Sequence, residues 1–124
     1  MRVLMLHDRQ NDRGGAGIVL DAVTAALQAA GHEVHLAVGR GAPGRRVHVV
    51  PGLDRRDAGP ADLAPLLDAY RPDRIQVHNV VNPVALHAAA DAGAEMLVHD
   101  HRAFCPGRGK LTAAGAVCRR PLGR

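Results

Sequence analysis

His7, His78 and His99 stand directly after three short strand-like segments, residues 3–6, 74–77 and 96–98. Imidazole titrates near neutrality, so histidines gathered on one rim could move a proton or steady developing charge. Asp8, Asn79 and Asp100 follow directly after them, and a carboxylate near an imidazole fixes its tautomer or favours its charged form. Neighbouring strand residues point to opposite faces, so contact between His99 and Asp100 does not follow from their adjacency. A second group, Gly14-Gly15-Ala16-Gly17, precedes a helical apolar pattern. The first N–H groups of a helix are unpaired and its dipole is positive there, which suits phosphate or carboxylate. Glycines at such a place also serve plain turn geometry. The spacing is neither G-x-G-x-x-G nor a Walker P-loop. His99, His101, Cys105 and Cys118 have the atom types for zinc, but their spacing matches no common zinc module, and free thiols or a redox-sensitive pair closing the last loop are the alternatives. His32, His35, His48 and His87 fall within or beside regular elements and read as structural or solvated.

The elements that must position these residues are short and alternate. Residues 3–6 form a continuous apolar run typical of a buried parallel strand. Ile18, Val19, Ala22, Val23, Ala26, Leu27 and Ala30 then recur at helical spacing up to Gly31, placed where a helix cap belongs. Residues 33–38 predict a second strand and 47–50 a weaker third, within a loop-rich stretch over 39–59. A helix is expected from about Pro60, with Leu63, Leu66, Leu67 and Tyr70 on one face, ending before Pro72. Residues 74–77 predict strand four, Asn82-Pro83 opens a helix that Gly93 ends, and 96–98 give strand five. Strands alternating with helices imply right-handed crossovers and a parallel sheet covered on both faces, an α/β Rossmann-like fold. In such sheets ligands bind beyond the carboxyl ends of the strands, where the histidines and the glycine turn lie. The expected organisation is a Rossmann-like domain over 1–100 and a basic Gly/Pro-rich loop over 101–124, in which no apolar period survives.

Composition narrows the function. The chain has 124 residues and a formal charge of +4, but its last 24 residues hold six basic side chains and no acid, so the first hundred, with ten basic against twelve acidic residues, carry −2. The basic character belongs to one segment, which would face phosphate, an anionic lipid surface at the membrane periphery, or solvent, and does not make the domain a nucleic-acid binder. Tyr70 and Phe104 are the only aromatics, which argues against stacking platforms for RNA or single-stranded DNA. Two cysteines are too few for a disulfide scaffold. The N-terminal residues lack the order of a signal peptide, and no stretch approaches the roughly 20 apolar residues that span a bilayer, so a cytoplasmic protein is expected.

Three segments together resemble the N-terminal half of a family 4 glycosyltransferase, the large retaining group with a GT-B fold. They are the first strand with Gly14-Gly15-Ala16-Gly17, its helix and Gly31-His32-Glu33-Val34; Arg71-Pro72-Asp73 through Val77-His78-Asn79 to the Asn82-Pro83 helix; and Val98-His99-Asp100-His101 through Phe104-Cys105-Pro106-Gly107 to Cys118. The resemblance implies sugar transfer from a nucleotide-sugar to an acceptor with retention of configuration, without an obligatory metal or other cofactor. It implies that His99 faces the donor sugar and that Asp100 supports it or contacts the acceptor. Gly14, Gly15, Ala16 and Gly17 would approach the donor diphosphate or the acceptor, and His7, His78 and Asn79 would line the acceptor cleft. Members of the family need a second half that supplies most nucleotide-binding groups and a Glu-rich motif. Only Glu33 and Glu95 occur here, so that half is an expected partner, and the chain by itself is expected to be an inactive fragment.

Two other readings compete. A dinucleotide-binding NAD(P) module shares the strand-turn-helix start but wants an acid after strand two, where the chain has Val38-Gly39-Arg40; Arg40 would suit a 2′-phosphate. A non-catalytic remnant whose basic tail binds another chain is the third.

Overall fold

The computed structural model describes residues 1–11, 13–56, 61–99, 114–117 and 119. Its elements run β1 (Arg2–Arg9), α1 (Gly15–Ala29), β2 (Glu33–Arg40), β3 (Val47–Val49), α2 (Ala64–Tyr70), β4 (Arg74–Asn79), α3 (Pro83–Asp91) and β5 (Glu95–Met96). The five strands pair in parallel in the order β3-β2-β1-β4-β5. With helices packed on both faces this is an α/β Rossmann-like fold.

The period-two alternation of β1 decides which helix covers which face. Val3 and Met5 point to one side, where they pack with Val34 and with Leu20 of α1. Thr24 of α1 donates its hydroxyl to Met5 Sδ at 3.2 Å. Leu4 and Leu6 point to the other side, into a larger core with Ala37, Ile75, Val77, Leu53, Leu63, Tyr70, Ala85 and Ala89. Alanine at positions 85 and 89, both essentially buried, lets α3 lie close on the sheet. The long connection after β3 is tied down by Val50 and Leu53 in the same core.

Local chemistry sets the helix ends. Gly31 and Gly93 adopt φ of +83° and +77°, a conformation glycine enters without penalty, and each ends its helix where the sequence places it. Asn82 caps α3 by accepting from the Ala85 N–H at 3.0 Å, and its own amide donates to the Gly52 carbonyl at 3.1 Å. α2 starts later than expected. Its first turn forms around Pro65, whose fixed φ and missing N–H suit that place, with Asp62 Oδ1 accepting from the Ala64 N–H. It stops at Tyr70 because Pro72 excludes helical geometry for Arg71, which turns left-handed at φ +47°.

Strand lengths follow from neighbours. β1 continues through polar His7 and Asp8 to Arg9 because β2 and β4 flank it and accept its backbone on both sides. β5, paired only with β4, is two residues long, shorter than its apolar run suggests. No described helix is long and apolar enough to cross a membrane.

Candidate functional site

The crossovers from β1 to β2 and from β3 to β4 leave in opposite directions along the sheet, so the crevice of such a fold opens between the carboxyl ends of β1 and β4. His7 and Asp8 end β1 there, and His78 and Asn79 end β4. The ladder is irregular at this place: Leu6 pairs with Val77, yet His7 pairs with Asn79, a shift of the bulge type between Leu6 and His7. Such a shift breaks the alternation of side chains and re-aims them. The extra residue is on β4, where His78 falls between the paired Val77 and Asn79, whereas β1 keeps its register with β2. At the end of β1 the adjacent His7 and Asp8 are in contact, Nδ1 lying 2.8 Å from Oδ1.

His99, just beyond β5, reaches back to β4: its Nε2 lies 3.1 Å from His78 Nδ1, with the two rings 22° from parallel. The expected convergence of His7, His78 and His99 is therefore present, as three neighbouring groups at different depths. His7 is completely buried, His78 nearly so, and His99 half-buried. Burial pushes the His78 imidazole down to about 4, with repulsion from His99 and then His7 adding to the shift. His78 is thus neutral at pH 7 and serves as a hydrogen-bonding group, not as a cation. Burial pushes the Asp8 carboxyl up, but the His7 ring and Arg9 outweigh it and hold the group below its ordinary value.

Hydrogen-bonding capacity at this rim is left unspent. Among the described residues, His7 Nε2, Asp8 Oδ1 and His78 Nε2 are buried with no hydrogen-bond partner, and so is Gln76 Oε1, one pleat below His78. The His7 Nδ1 that lies 2.8 Å from Asp8 Oδ1 is also within 3.3 Å of the Arg9 N–H, from which it accepts. Buried polar atoms are nearly always paired, because each one left unpaired costs about 1–3 kcal/mol. Three such atoms lie at the ends of two adjoining strands.

The glycine turn adds the second component. Gly14 is the N-cap of α1 with extended backbone and no side-chain cap, and no acid sits in the first turn. Gly14 and Gly15 are exposed, Ala16 is half-buried and Gly17 is buried. A Cβ at Gly15 would meet nothing within 4 Å, so packing does not demand glycine there, and the open backbone is accessible to an anion.

Asp100, His101 and Cys105 to Lys110, with Cys118, lie outside the described residues. Among the described residues no three His, Cys, Asp or Glu side chains gather as a metal-binding group. Arg40 forms an ion pair with Asp54 at 3.3 Å, so the cation suited to a 2′-phosphate is already matched by an acid. No protein-family model, curated protein or solved structure matches the chain.

One constellation the sequence did not suggest also appears. His35 and His48, read as structural or solvated, touch each other at 2.7 Å, and His35 stacks on Tyr70. Their link is the β2–β3 register, which sets His48 opposite Ala37, and nothing local in the sequence announces it.

Proposed function

We propose that this domain forms the acceptor-side wall of a retaining sugar transferase, acting with a second, nucleotide-binding half, as its resemblance to family 4 glycosyltransferases implies. The observation that carries this reading is the set of buried atoms of His7, Asp8 and His78 at the switch point that have no hydrogen-bond partner among the described residues, beside a glycine-rich helix start with no acid in its first turn. In this reading the N–H groups of Gly15, Ala16 and Gly17 meet the donor diphosphate, and His99 faces the sugar. Neutral His78 holds the His99 ring in place, and His7 with Asp8 supports the floor beneath. Asp100 contributes as the resemblance implies. Departure of a nucleoside diphosphate needs preorganised positive charge and excluded water, which one wall does not provide. The matched Arg40–Asp54 pair makes a 2′-phosphate-binding dinucleotide module the weaker alternative.

Imidazole resonances test the reading directly. Titration with UDP-glucose and GDP-mannose should move the His78 and His99 signals in a saturable, weak manner, and NADPH should leave them in place. Response to NADPH alone, or to no nucleotide, would overturn it. The purified 124 residues should show no sugar transfer, and turnover that disappears in His99→Ala would sink the claim that a second half is needed.

A further inference from the structure

His35 and His48 form the middle and end of a hydrogen-bonded chain that begins at Glu33. Glu33 Oε1 lies 3.1 Å from His35 Nε2, and His35 Nδ1 lies 2.7 Å from His48 Nε2. The His35 ring is fixed from below by Tyr70, 4.1 Å between centroids and 16° from parallel. Tyr70 is itself anchored, its hydroxyl donating to the Glu33 carbonyl at 3.1 Å.

This chain has one proton arrangement in its neutral form. A carboxylate only accepts, so His35 Nε2 carries a proton and donates it to Glu33. Neutral His35 then has a bare Nδ1. A 2.7 Å separation between two ring nitrogens requires one proton between them, so His48 Nε2 carries it. Neutral His48 is left with a lone pair on Nδ1, which no described residue engages. Burial lowers the His35 pKa and the adjoining His48 lowers it further, against the pull of Glu33 and in spite of it, which keeps that ring neutral at pH 7.

His48, His35 and Tyr70 line a cleft of about 740 Å³ between β3 and α2, whose other walls include Val49, Pro51, Leu66 and Asp62, the last already accepting from the Ala64 N–H through Oδ1. Its size is that of a small-molecule site, and such sites are largely apolar with a few placed polar groups. None of its lining residues belongs to the switch-point site.

We propose that the cleft between β3 and α2 binds a small, flat, apolar molecule bearing one hydroxyl or N–H donor, with His48 Nδ1 as the acceptor that selects it. The His35 and His48 rings, 23° from parallel and backed by Tyr70, supply a flat wall. A neutral lone pair in a largely apolar cleft rewards a donor, and an anion is rejected because it would lose its hydration, gain no partner and meet the Asp62 carboxylate on the same wall. Glu33 acts as a positioning residue, because it sets the proton arrangement of both imidazoles without lining the cleft.

Indole and N-methylindole, which differ in that single donor, are the probes. By calorimetry on the full chain, at a pH above the imidazole range, indole should bind about tenfold more tightly, the worth of one hydrogen bond. In His48→Phe the preference should fall to parity while N-methylindole still binds. In Glu33→Gln the amide can donate to His35, the proton arrangement is no longer imposed, and the preference should shrink with N-methylindole affinity unchanged. Nitrogen-15 spectra of the unaltered protein should show His48 with protonated Nε2 and bare Nδ1. The opposite tautomer, equal affinity for the two probes, binding of neither, or a preference that survives His48→Phe would each overturn the proposal.

Discussion

Burial sets His78 apart from the other histidines of the rim, pushing its pKa from 6.5 down to about 4. In the unfolded chain the same ring titrates near 6.5, so between these values the unfolded state binds the extra proton. Stability must rise with pH across that window, being complete above 6.5 and lost as the pH falls to about 4. At about 1.4 kcal/mol per pKa unit, the swing is up to about 3 kcal/mol. Urea unfolding midpoints measured from pH 7 to pH 4 should fall accordingly, and His78→Leu should flatten the fall. The lowered pKa of His35 adds a smaller term of the same sign, which should remain in that variant. Asp8 acts separately: its folded pKa is depressed, so its contribution is present above 3.8 and is lost only at lower pH. The candidate residues His7, His78 and His99 were legible because each directly follows a strand-like segment of the sequence. His35 and His48 were not, because what joins them is a register between two strands, and one residue of slip would send His48 to the opposite face.

Among the elements, α3 shows how much a short signal can carry. Asn82-Pro83 predicts a helix start, and Asn82 does cap Ala85. The tertiary structure adds a second use, since the same side chain is completely buried and donates to the Gly52 carbonyl, fastening the connection after β3 to the start of α3. Asn82→Ala should therefore cost more than the roughly 1 kcal/mol of an exposed cap, about 2 kcal/mol, because it also removes the tie to the Gly52 carbonyl, which then keeps only the Arg55 N–H. Asn82→Asp keeps the cap acceptor and removes only the amide donor, and should lie between the two in thermal unfolding. The sequence alone starts α2 near Pro60, four residues before Ala64, because Pro60 and Pro65 both qualify as first-turn prolines and local rules do not rank them. Leu63 and Tyr70 decide the matter by entering the core beneath the sheet.

For the molecule as a whole, stability is concentrated in β1, which has paired neighbours on both sides and six consecutive buried residues from Val3 to Asp8. β3 and β5 lie at the edges and are three and two residues long. Hydrogen exchange should show the amides of Leu4 and Leu6 opening only with global unfolding, while those of Val49 and Met96 exchange many times faster through local opening. Comparable rates in the centre and at the edges would mean that the sheet does not unfold in this order.

The alternation of short apolar runs with helical periods is a local property, written in side chains a few residues apart, and it was enough to establish a parallel α/β sheet with its polar residues at the strand ends. Strand order, the irregular register that sets His78 between the paired Val77 and Asn79, and the meeting of His35 with His48 join residues far apart in the chain or depart from regular geometry. Those were decided by which strand edges pair and which faces the helices cover, choices that only the closed core makes.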